Sequence, residues 1–195
     1  MTETDLQKVE DAFVAAIDRC KTIGCRSSLA ASQQTLISSV DFIEIHGAHG
    51  YLLHSFYSPL SNTRTDAYGG QPLANRLAFP LRLIKSCRTA WPDKPLFVRI
   101  SATDWARGPE QEGSEWKQWG IEQSKILVGE LIKLGVDLVD CSSGGNWVKQ
   151  EIAVKPGYQV RLSDAVHVLV MTPSRCRSPL SSRPHIQTYL SVRWG

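Results

Sequence analysis

Residues 41–51, DFIEIHGAHGY, decide how the rest of the chain reads. Asp41 to Ile45 is a short β-rich run, read as a strand. A polar, glycine-rich loop follows from His46 to Gly70. Downstream, Pro72 to Ala90 reads as a helix, with Pro72 well placed near its first turn. Pro80 lies inside it, where a proline costs about 3 kcal/mol or kinks the helix. Leu96 to Ile100 is a second strand, and a long loop runs over 101–118 past Asp104, Gly108, Pro109 and Gly113. Trp119 to Leu134 is a third helix, with Ile121, Ile126, Leu127, Leu131 and Leu134 as its apolar side and Gly135 as its stop. Val136 to Cys141 is a third strand, running into Ser142-Ser143-Gly144-Gly145. Upstream, Thr2 to Lys21 reads as the first helix. Leu6, Val9, Phe13, Ala16, Ile17 and Cys20 form its apolar stripe, Thr4 and Gln7 match a capping box, and Gly24 is placed to end it.

Helix and strand therefore alternate, which implies parallel strands joined by helical crossovers. A closed eight-stranded α/β barrel typically needs about 250 residues. Three strands cannot close one. The residues leave two architectures open: a piece of a barrel, or a small open α/β sheet.

The bulk properties exclude several classes. A net charge of +3 over 195 residues gives no electrostatic case for nucleic acid or membrane binding. No apolar run is long enough to span a bilayer, and the start lacks a signal-peptide pattern. Cys20, Cys25, Cys87, Cys141 and Cys176 are odd in number and form no CxxC pair, so a disulfide framework or structural zinc site is not expected. Scattered cysteines fit a reducing compartment, and a cytoplasmic location is the expectation.

In parallel α/β barrels chemistry gathers in the loops after the C-terminal ends of strands. Three such loops exist here: one begins His46-Gly-Ala-His49-Gly-Tyr51, one follows Val98-Arg99-Ile100, and one is Ser142 to Gly145. His46 and His49 could donate two N–H groups to one oxygen. Tyr51 could donate a proton. Arg99 is a permanent cation, suited to an anion or an electron-rich ring. The serine–glycine run offers hydroxyl and N–H groups of the kind that contact phosphate or ribityl oxygens. Each has a plainer reading. An HxxH pair on a loop is more often surface polarity, an arginine more often an ion-pair partner, and Ser-Ser-Gly-Gly more often an ordinary turn. A zinc site from His46, His49 and His54 is disfavoured because the HExxH helix pattern is absent.

The run DFIEIHGAHGYLLHSFYSPLSNTRTDAYGG, with NR at 75–76, resembles the signature of the old yellow enzyme family. KPLFVRISATDW, GVDLVDCSSGGN and PGYQV at 156–160 match further stretches in the right order. The resemblance covers 1–25 and 41–160, and the HGAH form points to the bacterial-type branch. It implies a (β/α)8 barrel holding FMN, reduced by NADPH, that passes hydride to the β-carbon of an α,β-unsaturated carbonyl compound. By that resemblance His46 and His49 would hold the carbonyl oxygen and Tyr51 would protonate the α-carbon. Arg99 would lie by the flavin ring, and Ser142 by the flavin chain. Arg64 and Asp66 would brace the loop. Partners would be a small enone, with no nucleic acid or membrane and a possible homo-oligomer.

The departures set the expected boundaries. The family has about three to four βα units ahead of the part matching Met1 onward, and its phosphate-binding loop comes after PGYQV. The expectation is an open, partial barrel of about three to four βα units over 1–160, with an extra segment at 26–40 and a divergent, irregular tail at 161–195. Retained non-coding sequence and a shifted reading frame would account for both oddities. Two functions stay open: a flavin-dependent NADPH dehydrogenase or ene-reductase, and a truncated non-catalytic fragment, unstable or acting through partner binding.

Overall fold

In the computed structural model, residues 1–23 and 40–167 are described. The elements are α1 (Glu3–Ile23), β1 (Ile43–Gly47), α2 (Leu52–Tyr57), α3 (Leu73–Ala90), β2 (Leu96–Ser101), β3 (Gln111–Glu112), β4 (Glu115–Trp116), α4 (Ile121–Lys133), β5 (Leu138–Ser142) and α5 (Val160–His167). Strands β1, β2 and β5 form a parallel sheet in that order, with Ile45 opposite Val98 and Val98 opposite Val139. Helices α3 and α4 are the crossovers, as a parallel sheet requires. This is an open, partial α/β barrel.

Alternation along the strands separates two faces. Ile45, Val98, Ile100, Val139 and Cys141 are buried beneath the helices. Leu77, Leu83, Ile84 and Cys87 of α3 and Leu127, Val128 and Leu131 of α4 complete that core. Each such side chain removes enough apolar surface to be worth about 1.5–3 kcal/mol. Helix α1 lays Leu6 and Ile17 onto the same cluster and packs along α3. Burial raises the Cys87 and Cys141 thiols to about 12, so both behave as small apolar residues. Cys20, Cys87 and Cys141 are free thiols.

Several local expectations shift. The capping box of α1 is built two residues earlier: the Asp5 N–H donates to Thr2 Oγ1 at 3.3 Å, and the Thr2 N–H donates to Asp5 Oδ2 at 2.7 Å. Ile126 is 48% exposed rather than part of the apolar side of α4, and Gln123 and Ser124 are buried in its place. Gln123 faces inward because its amide donates to the Gln118 carbonyl and its oxygen accepts from Arg76. The 46–70 loop contains α2, and the 101–118 loop contains the β3–β4 hairpin. Ahead of that hairpin, Glu110 accepts from the Ile121 and Glu122 N–H groups and caps α4. Helix α3 continues through Pro80.

The expected irregular tail begins with a helix instead. In α5, Leu162 and Val166 are buried and the helix packs on α4, so amphipathic burial overrides the weak local pattern. The extra segment at 26–40, apart from Val40, lies outside the described residues, as do Gly24, Cys25, Cys176 and the tail beyond His167.

Candidate active site

The second face of the sheet carries the chemistry. Register places His46 opposite Arg99 and Arg99 opposite Asp140, so the three form one row across the strands. Arg99 Nε lies 3.2 Å from Asp140 Oδ2. One row below, Glu44 is opposite Phe97, and Phe97 stacks on Phe42 with ring centroids 4.8 Å apart.

At the C-terminal rim the His46 ring lies 5.2 Å, centroid to centroid, from both the His49 ring and the Tyr51 ring. Tyr51 is 63% exposed. His49 Nε2 is 2.6 Å from the Ser142 hydroxyl, which ties the β1 loop to the end of β5. The structure thus brings His46, His49, Tyr51, Arg99 and Ser142 to one end of one sheet face. Ser142, expected beside a cofactor chain, orients the His49 ring in this arrangement.

Burial and the nearby Arg99 charge both favour the neutral form of the two imidazoles. Burial lowers the His46 pKa, and the Arg99 charge lowers it further. The His49 pKa is lowered by burial first, then by Arg99, His46 and His54. A neutral imidazole has one N–H donor and one acceptor, so each ring can offer a single hydrogen bond to an oxygen. Burial, then the Asp140 charge, raises the Glu44 pKa on the same face.

Local backbone geometry sets the rim. His49 has φ 58°, uncommon for a side chain of its size, and Gly50 follows at φ 76°. The His49 N–H donates to Ser101 Oγ at 2.9 Å, and Ser101 Oγ donates to the Gly144 carbonyl at 2.8 Å. Gly145 packs directly on this turn: a Cβ there would sit 2.5 Å from His49 Cα. Three βα loops therefore meet at His49: the β1 and β5 loops through backbone at Gly145, and the end of β2 through the Ser101 hydroxyl that bonds to both.

Helix α2 anchors the turn from beneath. Tyr57 Oη donates to the Gly47 carbonyl at 2.8 Å and accepts from the Ser101 N–H at 3.2 Å. His54 Nδ1 accepts from the Gly50 N–H at 3.0 Å. His54 Nε2 is 2.8 Å from Asp104 Oδ1, and both side chains are fully buried. Asp104 also accepts from Ser58 Oγ at 2.5 Å, the Trp119 N–H at 3.1 Å and Asn146 Nδ2 at 3.3 Å. Buried Arg76 holds the carbonyls of Tyr57, Gly70 and Gln71, and burial pulls its guanidinium down to about 10. Arg64 pairs with Asp66 and donates to the Met1 carbonyl, a loop brace.

Sequence reasoning weighed His54 only as a zinc ligand, named Asp104 only as a loop residue, and passed over Ser101 and Asp140. A signal for α2 existed: Leu53, Phe56 and Tyr57 recur at helical spacing, with His54 and Tyr57 on one side. Asp140 is two residues before Ser142, hence on the same face of a strand. Asp104 lies 50 residues from His54, a pairing that no local pattern announces.

The donor set fits a flavin in part. A permanent cation stands on the open face at Arg99, and the Ser143 hydroxyl is buried at the rim with no hydrogen-bond partner among the described residues. A buried polar group of that kind calls for a ligand or a water. Among the described residues no cluster of ligating side chains could hold a metal ion, and His54 is committed to Asp104 and Gly50.

A rim of polar side chains at the C-terminal ends of parallel strands is the place where α/β-barrel enzymes carry their chemistry. Residues 1–144 match the NADH:flavin oxidoreductase / NADH oxidase family, and the chain belongs to it, the family of the old yellow enzyme. It is similar to NADH:flavin oxidoreductase FG08077 of Gibberella zeae, 48% identical over 142 residues, covering 71% of this chain and 34% of that protein. An NADPH dehydrogenase of Halalkalibacterium halodurans is 42% identical over 166 residues, 85% of this chain and 41% of that protein. Among solved structures, histamine dehydrogenase from Rhizobium sp. 4-9 superposes with a TM-score of 0.62 at 24% identity over 87% of this chain and 22% of that one. Morphinone reductase gives 0.58 at 19% identity, over 87% and 38%. These two likenesses establish the fold. The chain spans 34–41% of the length of the two curated relatives.

Proposed function

We propose that this chain carries the substrate-facing part of an FMN-dependent NAD(P)H oxidoreductase acting on α,β-unsaturated carbonyl compounds. FMN is the cofactor that goes with the family, and NADPH is the donor in the relatives' names. The observation that carries the reading is the trio of His46, His49 and Tyr51 rings at the rim, with Arg99 in the same row as His46.

Bound FMN would supply the hydride that reaches the β-carbon, after its own reduction by NADPH. Arg99 would hold the flavin ring and favour its negative form, and Ser143 would satisfy its buried hydroxyl on the cofactor's polar chain. His46 and His49, both neutral, would each donate one N–H to the carbonyl oxygen and stabilise the charge that develops there. Tyr51, exposed at the mouth, would deliver the proton to the α-carbon. The balance is one hydride and one proton added across the C=C bond, with NADPH oxidised.

The test is spectroscopic. Titration of the purified protein with FMN should give a bound-flavin visible spectrum, perturbed by a phenol that occupies the carbonyl site. The double variant His46→Ala, His49→Ala should keep FMN and lose the phenol response. Protein that takes up no FMN would defeat the reading. It would favour the alternative of a non-catalytic piece, for which the exposed Phe42 beside Phe97 on the open face is the supporting observation.

A further inference from the structure

Among the buried polar groups, the His54–Asp104 pair has no part in the chemistry above, yet it touches the turn that carries that chemistry. His54 is on α2, four residues beyond Gly50, and both pair members are fully buried. Its two nitrogens have different duties. Nδ1 accepts the Gly50 N–H, so it bears no proton, and the ring must be the neutral tautomer with Nε2–H donating to Asp104. Asp104 is held in turn by Ser58, the Trp119 N–H and Asn146, donors from three other parts of the chain. A carboxylate with four donors has one orientation, and it imposes one tautomer on His54.

The consequence reaches the rim. His49 and Gly50 both have positive φ, a conformation unfavourable for His49 and sustained only by what surrounds it. Two hydrogen bonds hold this turn from below: His49 N–H to Ser101 Oγ and Gly50 N–H to His54 Nδ1. The direction in which the His49 side chain leaves the backbone and the start of Tyr51 follow from that turn, and Ser142 then fixes the His49 ring.

We propose that His54, fixed in its Nε2–H tautomer by Asp104, is the positioning residue that holds the left-handed His49–Gly50 turn and so aims His49 and Tyr51. The inference deepens the functional reading above and rests on it for the identity of what His49 and Tyr51 meet. The holding of the turn itself stands apart from that reading.

Two substitutions separate positioning from simple core filling. Asparagine can place its amide oxygen near the position of Nδ1 and keep an acceptor for Gly50. Glutamine can reach the position of Nε2 and keep the donor to Asp104. The first readout is Gly50 amide hydrogen exchange by NMR in the full chain. His54→Gln should speed it by about tenfold or more, the exchange signature of a lost, partly buried hydrogen bond. His54→Asn should stay within about threefold of the parent. Equal Gly50 exchange in the parent and His54→Gln, or equal acceleration in both variants, would overturn the proposal. Should neither variant fold, the ring nitrogen shifts of parent His54 decide: an unprotonated Nδ1 supports the proposal, and a protonated Nδ1 overturns it.

The second readout is phenol affinity of the FMN-loaded protein. His54→Gln should weaken phenol binding about tenfold with FMN affinity unchanged, and His54→Asn should restore it. Equal phenol affinity in the parent and His54→Gln would overturn the aiming role. Failure of the parent to take up FMN would sink the functional reading instead, while Gly50 exchange still judges whether His54 holds the turn.

Discussion

The two faces of the β1–β2–β5 sheet are built from alternate residues of the same strands, yet they obey different rules. On the helix side, Ile45, Val98, Ile100, Val139 and Cys141 are at most 4% exposed and share one apolar cluster with residues of α3 and α4. On the other side, Glu44, His46, Phe97, Arg99 and Asp140 line up at the intervening positions, and His46 and Glu44 are exposed. The first face is a core and carries stability. The second holds a cation, two carboxylates and an imidazole close together, an arrangement that does little for folding and is suited to a ligand. Stability and proposed chemistry are therefore separable by changing one strand position to the next.

That separation can be broken by experiment. Leu83→Ala, fully buried under the helix-side face, should cost about 2–5 kcal/mol in urea unfolding. A loss below about 1 kcal/mol would mean that the helix side is not the core. Phe97→Ala on the open face should cost only about 1 kcal/mol, since the residue is half-buried and its main visible contact is the ring of Phe42. A loss equal to that of Leu83→Ala would show the open face to be covered in solution.

The pH dependence sharpens the contrast further. The His46 and His49 pKa values are lowered in the folded protein, so the unfolded chain binds more protons below about pH 6.5. Their contribution is fully present above that pH and is lost as pH falls through the folded values. Unfolding midpoints measured between pH 7.5 and pH 5 should therefore drop in the parent, and drop less in the His46→Ala, His49→Ala double variant. The smallest effect is expected from Glu44→Gln. The Glu44 pKa is raised, so its contribution is present in acid and lost as pH rises through the folded value. Removing the charge should gain no more than about 0.5 kcal/mol at pH 7. A clear loss there would mean that Glu44 has a stabilising partner on the open face.

Much of this organisation was legible beforehand. The three strands, α3, α4 and most of α1 follow from apolar spacing, and the rim loops follow from strand direction. The HGAH and VRISATDW stretches carried the family resemblance, which the match over 1–144 bears out. Boundaries moved by at most two residues, and caps set some of them: Thr2 took the place of Thr4, and Glu110 fixed the start of α4 from 11 residues away. Helix α2 escaped because six residues make too short a periodic signal beside glycine and serine. Helix α5 escaped because its helical character depends on contact with α4.

The sequence by itself determined which residues could be strand, helix or loop, and which side chains could reach one rim, because those properties repeat along the chain at periods of two and three to four. Tertiary structure alone decided that His54 pairs with Asp104, that Ser101 and Ser142 take hold of His49, and that Asp140 stands beside Arg99. Those partners are 41 to 93 positions apart. A buried polar group must find its complement wherever the folded chain delivers one, and that requirement leaves no local trace in the order of the residues.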